Sequence, residues 1–208
     1  YISKLYRTEH YETVLHPYSM EMILPELIYH LEDLRLGMCY PNYYVARLAG
    51  KFRKVILSGT GGDELFAGYP WRYYNVYGKN GNEKFVEKYY NYWQRLIKDE
   101  NKDKFFTKKV KKEINEGETL KAFRERLLPV LNNGTHNLNK ALYLELKTFL
   151  AGLLLLGDKI GMAHSIEYRF PFLDNELVDF AIKIPPKYKL AKKNGELRIN
   201  KNILGKKK

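Results

Sequence analysis

The chain has 208 residues, 45% hydrophobic and 29% charged, and its formal net charge is +12. That length suits one domain, or one domain plus part of another, with enough apolar content for a real core. The basic excess is lysine scattered between apolar positions, without a basic helix face interleaved with aromatics, so it reads as solvated surface and not as a nucleic-acid interface.

In chain order, Tyr1 to Arg7 reads as the tail of a helix already under way, with no initiator methionine before it. Tyr11 to Leu15 (Y-E-T-V-L) reads as a strand, Met20 to Leu31 as an amphipathic helix and Pro41 to Leu48 as another. Val55-Ile56-Leu57 is a β-branched, apolar run that reads as a strand buried on both faces, as in a parallel sheet. The order β-α-α-β fits part of a parallel sheet whose earlier strands lie upstream, so the expectation is a fragment. Beyond Tyr73 the pattern turns helical: Glu83 to Lys98 with an aromatic stripe, then helices around Phe105 to Glu113, Thr119 to Leu128 and Leu138 to Leu156. The stripe reads as core, and strand patterns are not expected in this half. The expected division is a partial α/β nucleotide-binding sheet over residues 1–75 and a helical part of the same domain over residues 76–208.

Two runs carry chemistry. In the first, K-V-I-L-S-G-T-G-G-D-E-L-F-A-G-Y from Lys54 to Tyr69, a strand gives way to Gly59, Gly61 and Gly62 and then to an acidic helix start. Open α/β sheets bind ligands at such carboxyl-end loops. Free N–H groups there hold phosphate oxygens, and Asp63 is either a ligand for a hard cation such as Mg²⁺ or simply a helix N-cap. The second run, from Gly157 to Asp174, sets Asp158, Lys159, Glu167, Arg169 and Asp174 close together. It is either an ion-pair network or the lining of a polar pocket. Asp174 reads as an N-cap, and His164 as a structural histidine. Cys39 is the sole cysteine, which excludes an internal disulfide, and the five histidines lack metal-binding spacing. The longest wholly apolar run, residues 149–156, is far too short for a bilayer span. With no signal peptide either, the expectation is a cytoplasmic protein without membrane or nucleic-acid partners.

S-G-T-G-G-D-E-L-F-A-G-Y resembles the S-G-E-G-x-D-E-x-F-G-G-Y segment of asparagine synthetases. D-K-I-G-M-A-H-S-I-E-Y-R-F-P-F-L-D resembles their D-R-M-S-M-A-H-S-x-E-x-R-x-P-F-L-D segment, and order, spacing and the V-D-F-A-I-K-I-P-P-K-Y-K-L continuation agree. The resemblance covers about Tyr1 to Leu204 and is weakest in the middle helices. It implies an α/β fold, a partial parallel sheet of the adenine-nucleotide alpha-hydrolase-like (ATP pyrophosphatase) type with a large helical C-terminal part. It also implies a synthetase domain in which aspartate attacks the α-phosphorus of ATP. Ammonia from glutamine then converts the β-aspartyl-AMP intermediate to asparagine. ATP and Mg²⁺ are the implied cofactors, and a homodimer is the implied state of the intact protein.

Carried over position by position, Leu57, Ser58, Gly59, Gly61, Gly62 and Asp158 would bind or flank the nucleotide. Asp63 would hold Mg²⁺–pyrophosphate, Tyr69 would shape the intermediate pocket, and Lys201 would meet developing negative charge. Thr60 stands at a catalytic position where the family usually has glutamate, which leaves open a related amidotransferase acting on another carboxylate or a sugar. Gly205 and Lys159 replace family arginines, and the two cations differ in geometry. The S-G-G-x-D-S pyrophosphate loop and the glutaminase nucleophile do not occur in these 208 residues. The chain alone is therefore expected to be inactive, or a non-catalytic module that kept the fold.

Overall fold

The computed structural model describes residues 1–33, 39–78, 81–114, 117–131, 134–193 and 196–199. In chain order it begins with α1 (Ile2–Tyr6), α2 (Ser19–Leu31), α3 (Cys39–Ala49), β1 (Val55–Leu57), α4 (Gly62–Phe66) and α5 (Pro70–Tyr73). Next come α6 (Asn82–Trp93), α7 (Lys102–Phe105), α8 (Lys108–Glu113), α9 (Glu118–Leu131) and α10 (Asn137–Glu145). A π-helical turn (Leu146–Leu150) precedes α11 (Ala151–Ala163). The chain closes with β2 (Glu167–Arg169), α12 (Asn175–Lys183), α13 (Pro186–Lys189), β3 (Leu190–Lys193) and β4 (Glu196–Ile199). The molecule is thus α/β, mostly helical, with a small parallel sheet. It forms two compact units, Tyr1–Gly59 with Gly152–Pro171, and Thr60–Ala151 with Phe172–Lys208.

In the first unit, α2 buries Ile23, Leu27 and Leu31 at four-residue spacing, which places them on one face. α3 answers with Cys39, Tyr43 and Ala46, and Ile160 of α11 and Ile166 complete this core. Polar ties fix the helix pair: the Tyr43 hydroxyl donates to Glu26 at 2.5 Å and the Tyr44 hydroxyl to the Ser19 carbonyl at 2.9 Å. β1 pairs in parallel with β2, Val55 opposite Glu167 and Leu57 opposite Arg169.

Three strand expectations need correction. Tyr11 to Leu15 is not a strand, although its residues favour one: Tyr11 and Val14 are exposed, and the segment pairs with no strand among the described residues. β1 is real but not buried on both faces; Val55 is 50% exposed and Leu57 73%. Strands do occur after Tyr73. Glu167–Arg169 lies in the run read as charged, and β3 and β4 form an antiparallel pair.

In the second unit, α6 buries Phe85, Val86 and Tyr89, α9 Leu127 and Leu131, and α10 Leu138, Ala141, Leu142 and Leu144. The aromatic stripe is core, as expected. α4 packs on α10, the π-turn and α12, so the helix carrying Asp63 rests on this core. Among the described residues, no helix is long and apolar enough to cross a membrane.

Candidate active site: the glycine loop and its acidic helix

The loop after β1 is shaped residue by residue. The Ser58 N–H donates to the Arg169 carbonyl at 2.8 Å, which extends the β1–β2 ladder by one bond and commits that donor to the sheet. A side chain at Gly59 would meet nothing within 4 Å, so open space lies beside the loop there. Gly61 has φ +98, and a Cβ on it would sit 2.4 Å from the Leu173 side chain. Only glycine satisfies both demands. Gly62 lies against the Phe172 ring, where a Cβ would be at 3.4 Å. The tail of the second sequence run, Phe172-Leu173, therefore presses on the glycine loop of the first. This gives Gly61 and Gly62 a packing role independent of any nucleotide.

Asp63 lies in the first turn of α4 and is exposed. Its side chain folds over Gly68: a Cβ there would lie 1.7 Å from the Asp63 Oδ1. The backbone repeats the tie, with the Gly68 N–H donating to the Asp63 carbonyl at 2.8 Å. No side-chain cap bond closes the N-terminus of α4, so the carboxylate is not spent as an N-cap. Among the described residues there is no group of three or more His, Cys, Asp or Glu that would hold a metal by themselves. Mg²⁺ at phosphate sites usually takes one or two carboxylates, with phosphate and water completing its shell, so one exposed aspartate fits that manner of binding.

Glu64 points the other way and is 1% exposed. It accepts the Tyr69 hydroxyl at 2.9 Å. Burial, then the Glu64 bond and charge, push the Tyr69 hydroxyl well above its ordinary pKa, so it stays a proton donor at neutral pH. The Arg72 guanidinium stacks on the Tyr69 ring at 3.7 Å and on Phe149 at 4.3 Å. Its Nη1 is 3.3 Å from the Glu145 Oε2, and Glu145 has no exposed side-chain surface. Tyr73 and Tyr89 also donate to Glu145, at 3.0 and 2.5 Å. Burial pushes the Glu145 carboxyl up, while Tyr89, Arg72 and Tyr73 pull it back. The Arg72 Nε and Nη1 have no hydrogen-bond partner among the described residues.

Thr60 is half-buried, Leu57 is exposed at the end of β1, and Asp158 is exposed on α11. Lys159 is a structural tie: its Nζ donates to the Leu31 carbonyl at 2.8 Å and to Glu32 at 2.6 Å, holding the end of α2. That bond, then the charge behind it, lowers the Glu32 pKa. Arg169 pairs with Glu167 at the surface, and the Asp174 Oδ1 accepts from Glu176 and Leu177 as the N-cap of α12. His164 lies edge-on to Tyr43, its pKa lowered by burial, with no hydrogen-bond partner for Nε2 among the described residues. Lys201 lies outside the described residues. Sequence reasoning missed Gly68, Glu64, Arg72 and Glu145. The G-Y pair after the helix was a usable signal for Gly68, but nothing in the pattern marked Glu145, which follows an ordinary helical stretch.

The family model "Asparagine synthase" matches residues 1–206. An asparagine synthetase [glutamine-hydrolyzing] 1 of Bacillus subtilis is 28% identical, over 96% of this chain and 37% of its own length. A putative asparagine synthetase of Mycobacterium tuberculosis is 29% identical, over 81% of this chain and 30% of its own length. Amidase chry2 of Gibberella zeae is 32% identical over 41% of this chain. The chain spans about a third of the length of these synthetase relatives. With a glycine loop set against a P-F-L-D segment and a match along nearly its whole length, the chain belongs to the asparagine synthase family.

Proposed function

We propose that this chain is part of a synthetase that activates a carboxylate with MgATP and passes it to ammonia, with aspartate as acceptor and asparagine as product. A carboxylate oxygen attacks the α-phosphorus, the bond to the β-phosphoryl oxygen breaks, and pyrophosphate leaves. Ammonia then adds to the acyl carbon of the β-aspartyl adenylate, AMP leaves and a proton is lost to solvent. Mg²⁺, when bound, neutralises charge on the departing pyrophosphate. The glycine loop, which opens space at Gly59 and presents an exposed Asp63 held over Gly68, is the observation that carries this reading.

Ser58 reaches the nucleotide through its side chain, since its N–H serves the sheet. Leu57 and Gly59 flank the nucleotide, Gly61 and Gly62 set the path of the loop, and Asp158 supports the substrate side. Asp63 supplies the carboxylate for the metal. Tyr69, locked as a donor to Glu64, acts as a wall and not as a base. Thr60 replaces a carboxylate with a short hydroxyl at the acceptor position. Lys201 meets the negative charge that grows in the transition state. The fold proposed for the intact domain is the ATP pyrophosphatase type, with ammonia from a glutaminase domain.

Pyrophosphate release from MgATP, aspartate and ammonia by the intact protein tests this reading. Asp63→Asn should lower the rate while leaving the melting transition in place. Lys201→Ala should lower turnover about a hundredfold, since one such contact contributes on the order of 3 kcal/mol, with nucleotide binding little changed. Wild-type rates in both variants would remove the assignment. A second reading, a related amidotransferase with another acceptor, rests on Thr60. Pyrophosphate release with other carboxylates but not with aspartate would favour it.

A further inference from the structure

Within the second compact unit lies a cavity of about 380 Å³ that none of the roles above uses. Its walls include Leu142, Leu146 and Ile182, and six polar residues also line it: Lys189, Asn139, Glu64, Thr135, Tyr143 and Lys183, the last of these exposed. Lys189 ends α13 and is 4% exposed. Its ammonium has neither ion pair nor hydrogen bond among the described residues, and burial with no compensating charge draws its pKa down to about 8. The Asn139 Oδ1 is buried and likewise has no hydrogen-bond partner among them. Glu64, 1% exposed, brings a carboxylate already holding the Tyr69 hydroxyl.

A cation on a side chain only 4% exposed and a buried amide oxygen, each without a partner among the described residues, are costly against apolar walls. The arrangement has the polarity of a zwitterion in reverse: a cation awaiting an anion, and acceptors awaiting a donor. The volume is in the range of small-molecule pockets. We propose that this cavity is a binding site for a free apolar α-amino acid of about leucine size, its carboxylate on Lys189, its ammonium toward Asn139 and Glu64, and its side chain against Leu142, Leu146 and Ile182. A simple fatty acid would satisfy Lys189 and leave the acceptors unmatched. Aspartate would set a second carboxylate among mostly apolar walls, with the second lysine, Lys183, exposed to water. The site is thus chemically distinct from the acceptor site proposed above, and its test does not require catalysis.

Calorimetric titration of the purified protein with L-leucine, 4-methylpentanoate and isopentylamine tests the assignment. Leucine should bind saturably at one site, and the two analogues, each lacking one charged group, at least tenfold more weakly. Lys189→Met and Asn139→Leu should each weaken leucine binding by a similar factor. A measurement on the unaltered protein guards against variants that fail to fold: leucine should slow acetylation of the Lys189 amine at pH 8, read by peptide mass. No leucine binding up to about 10 mM, a regime of only a few kcal/mol, would overturn the proposal. So would equal binding of 4-methylpentanoate, or Lys189 acetylation indifferent to leucine.

Discussion

Single residues decide how the loop and the side chain of Asp63 are held. Gly68 is the most exacting, because a methyl group there collides with the Asp63 carboxylate and with nothing more adaptable. Gly68→Ala should therefore swing Asp63 away and cut Mg²⁺-dependent pyrophosphate release about tenfold, a change of roughly 1.4 kcal/mol in the barrier. A variant with unchanged rate would show that the position of Asp63 over Gly68 is immaterial. The buried Arg72–Glu145 pair gives a second prediction. Glu145→Gln leaves the guanidinium buried without its counter-charge and should destabilise the fold by about 3 kcal/mol, whereas the double change Arg72→Met with Glu145→Leu should recover much of that loss. Urea midpoints of the three proteins check it, and a double variant as weak as the single one would contradict it.

Lys189 gives a pH signature. Its folded pKa of about 8 lies below the ordinary lysine value of 10.5, so the unfolded chain binds the extra proton between those values and stability rises with pH across that window. Allowing for partial hydration at the cavity, the gain is on the order of 2 kcal/mol. Glu64, Lys183 and Tyr143 line the same cavity, and Tyr73 and Tyr89 work in the opposite sense above pH 10, because burial raises their pKa. The comparison that isolates Lys189 is thus wild type against Lys189→Met. The urea midpoint of wild type should rise relative to that of Lys189→Met from pH 8 to pH 10, and a constant offset would contradict the assignment.

Among elements, helices were legible, and of the strands β1 was. α2 repeats its apolar residues every four positions, and α6 carries aromatics on one face, so periodicity alone located both. β2 escaped because only Tyr168 is half-buried while Glu167 and Arg169 face water, and its partner lies far back in the chain. Tyr11 to Leu15 shows the converse: strand-forming residues give no strand without a ladder partner. The sequence does hold a signal for the β3–β4 pair, the Asn194-Gly195 dipeptide of a kind favoured in two-residue hairpin connections, preceded by Lys192-Lys193. Exposed edges have a consequence. Among the described residues β1 and β2 are the two strands of their sheet, and Val55 and Leu57 are exposed, so the 208-residue chain should self-associate through this edge. Sedimentation should show concentration-dependent association that Val55→Lys reduces with helix content preserved; a monodisperse wild-type monomer would contradict it.

At the scale of the molecule, both sequence runs proved to belong together because Phe172-Leu173 leans on Gly61-Gly62, a contact that the spacing of the motifs did not reveal. The turn from β1 into the acidic start of α4 was legible from its glycines and Asp63. Its support, the Glu64–Tyr69 bond and the Arg72–Glu145 pair, was not, because these pairings join residues whose proximity is set by helix packing. The central claim is that a carboxylate is activated as an acyl adenylate. The direct measurement is the fate of oxygen when the intact protein turns over aspartate carrying ¹⁸O in its side-chain carboxylate, with MgATP and ammonia. If the carboxylate attacks the α-phosphorus, each AMP formed carries one ¹⁸O. Unlabelled AMP, or ADP and phosphate in its place, would contradict the account.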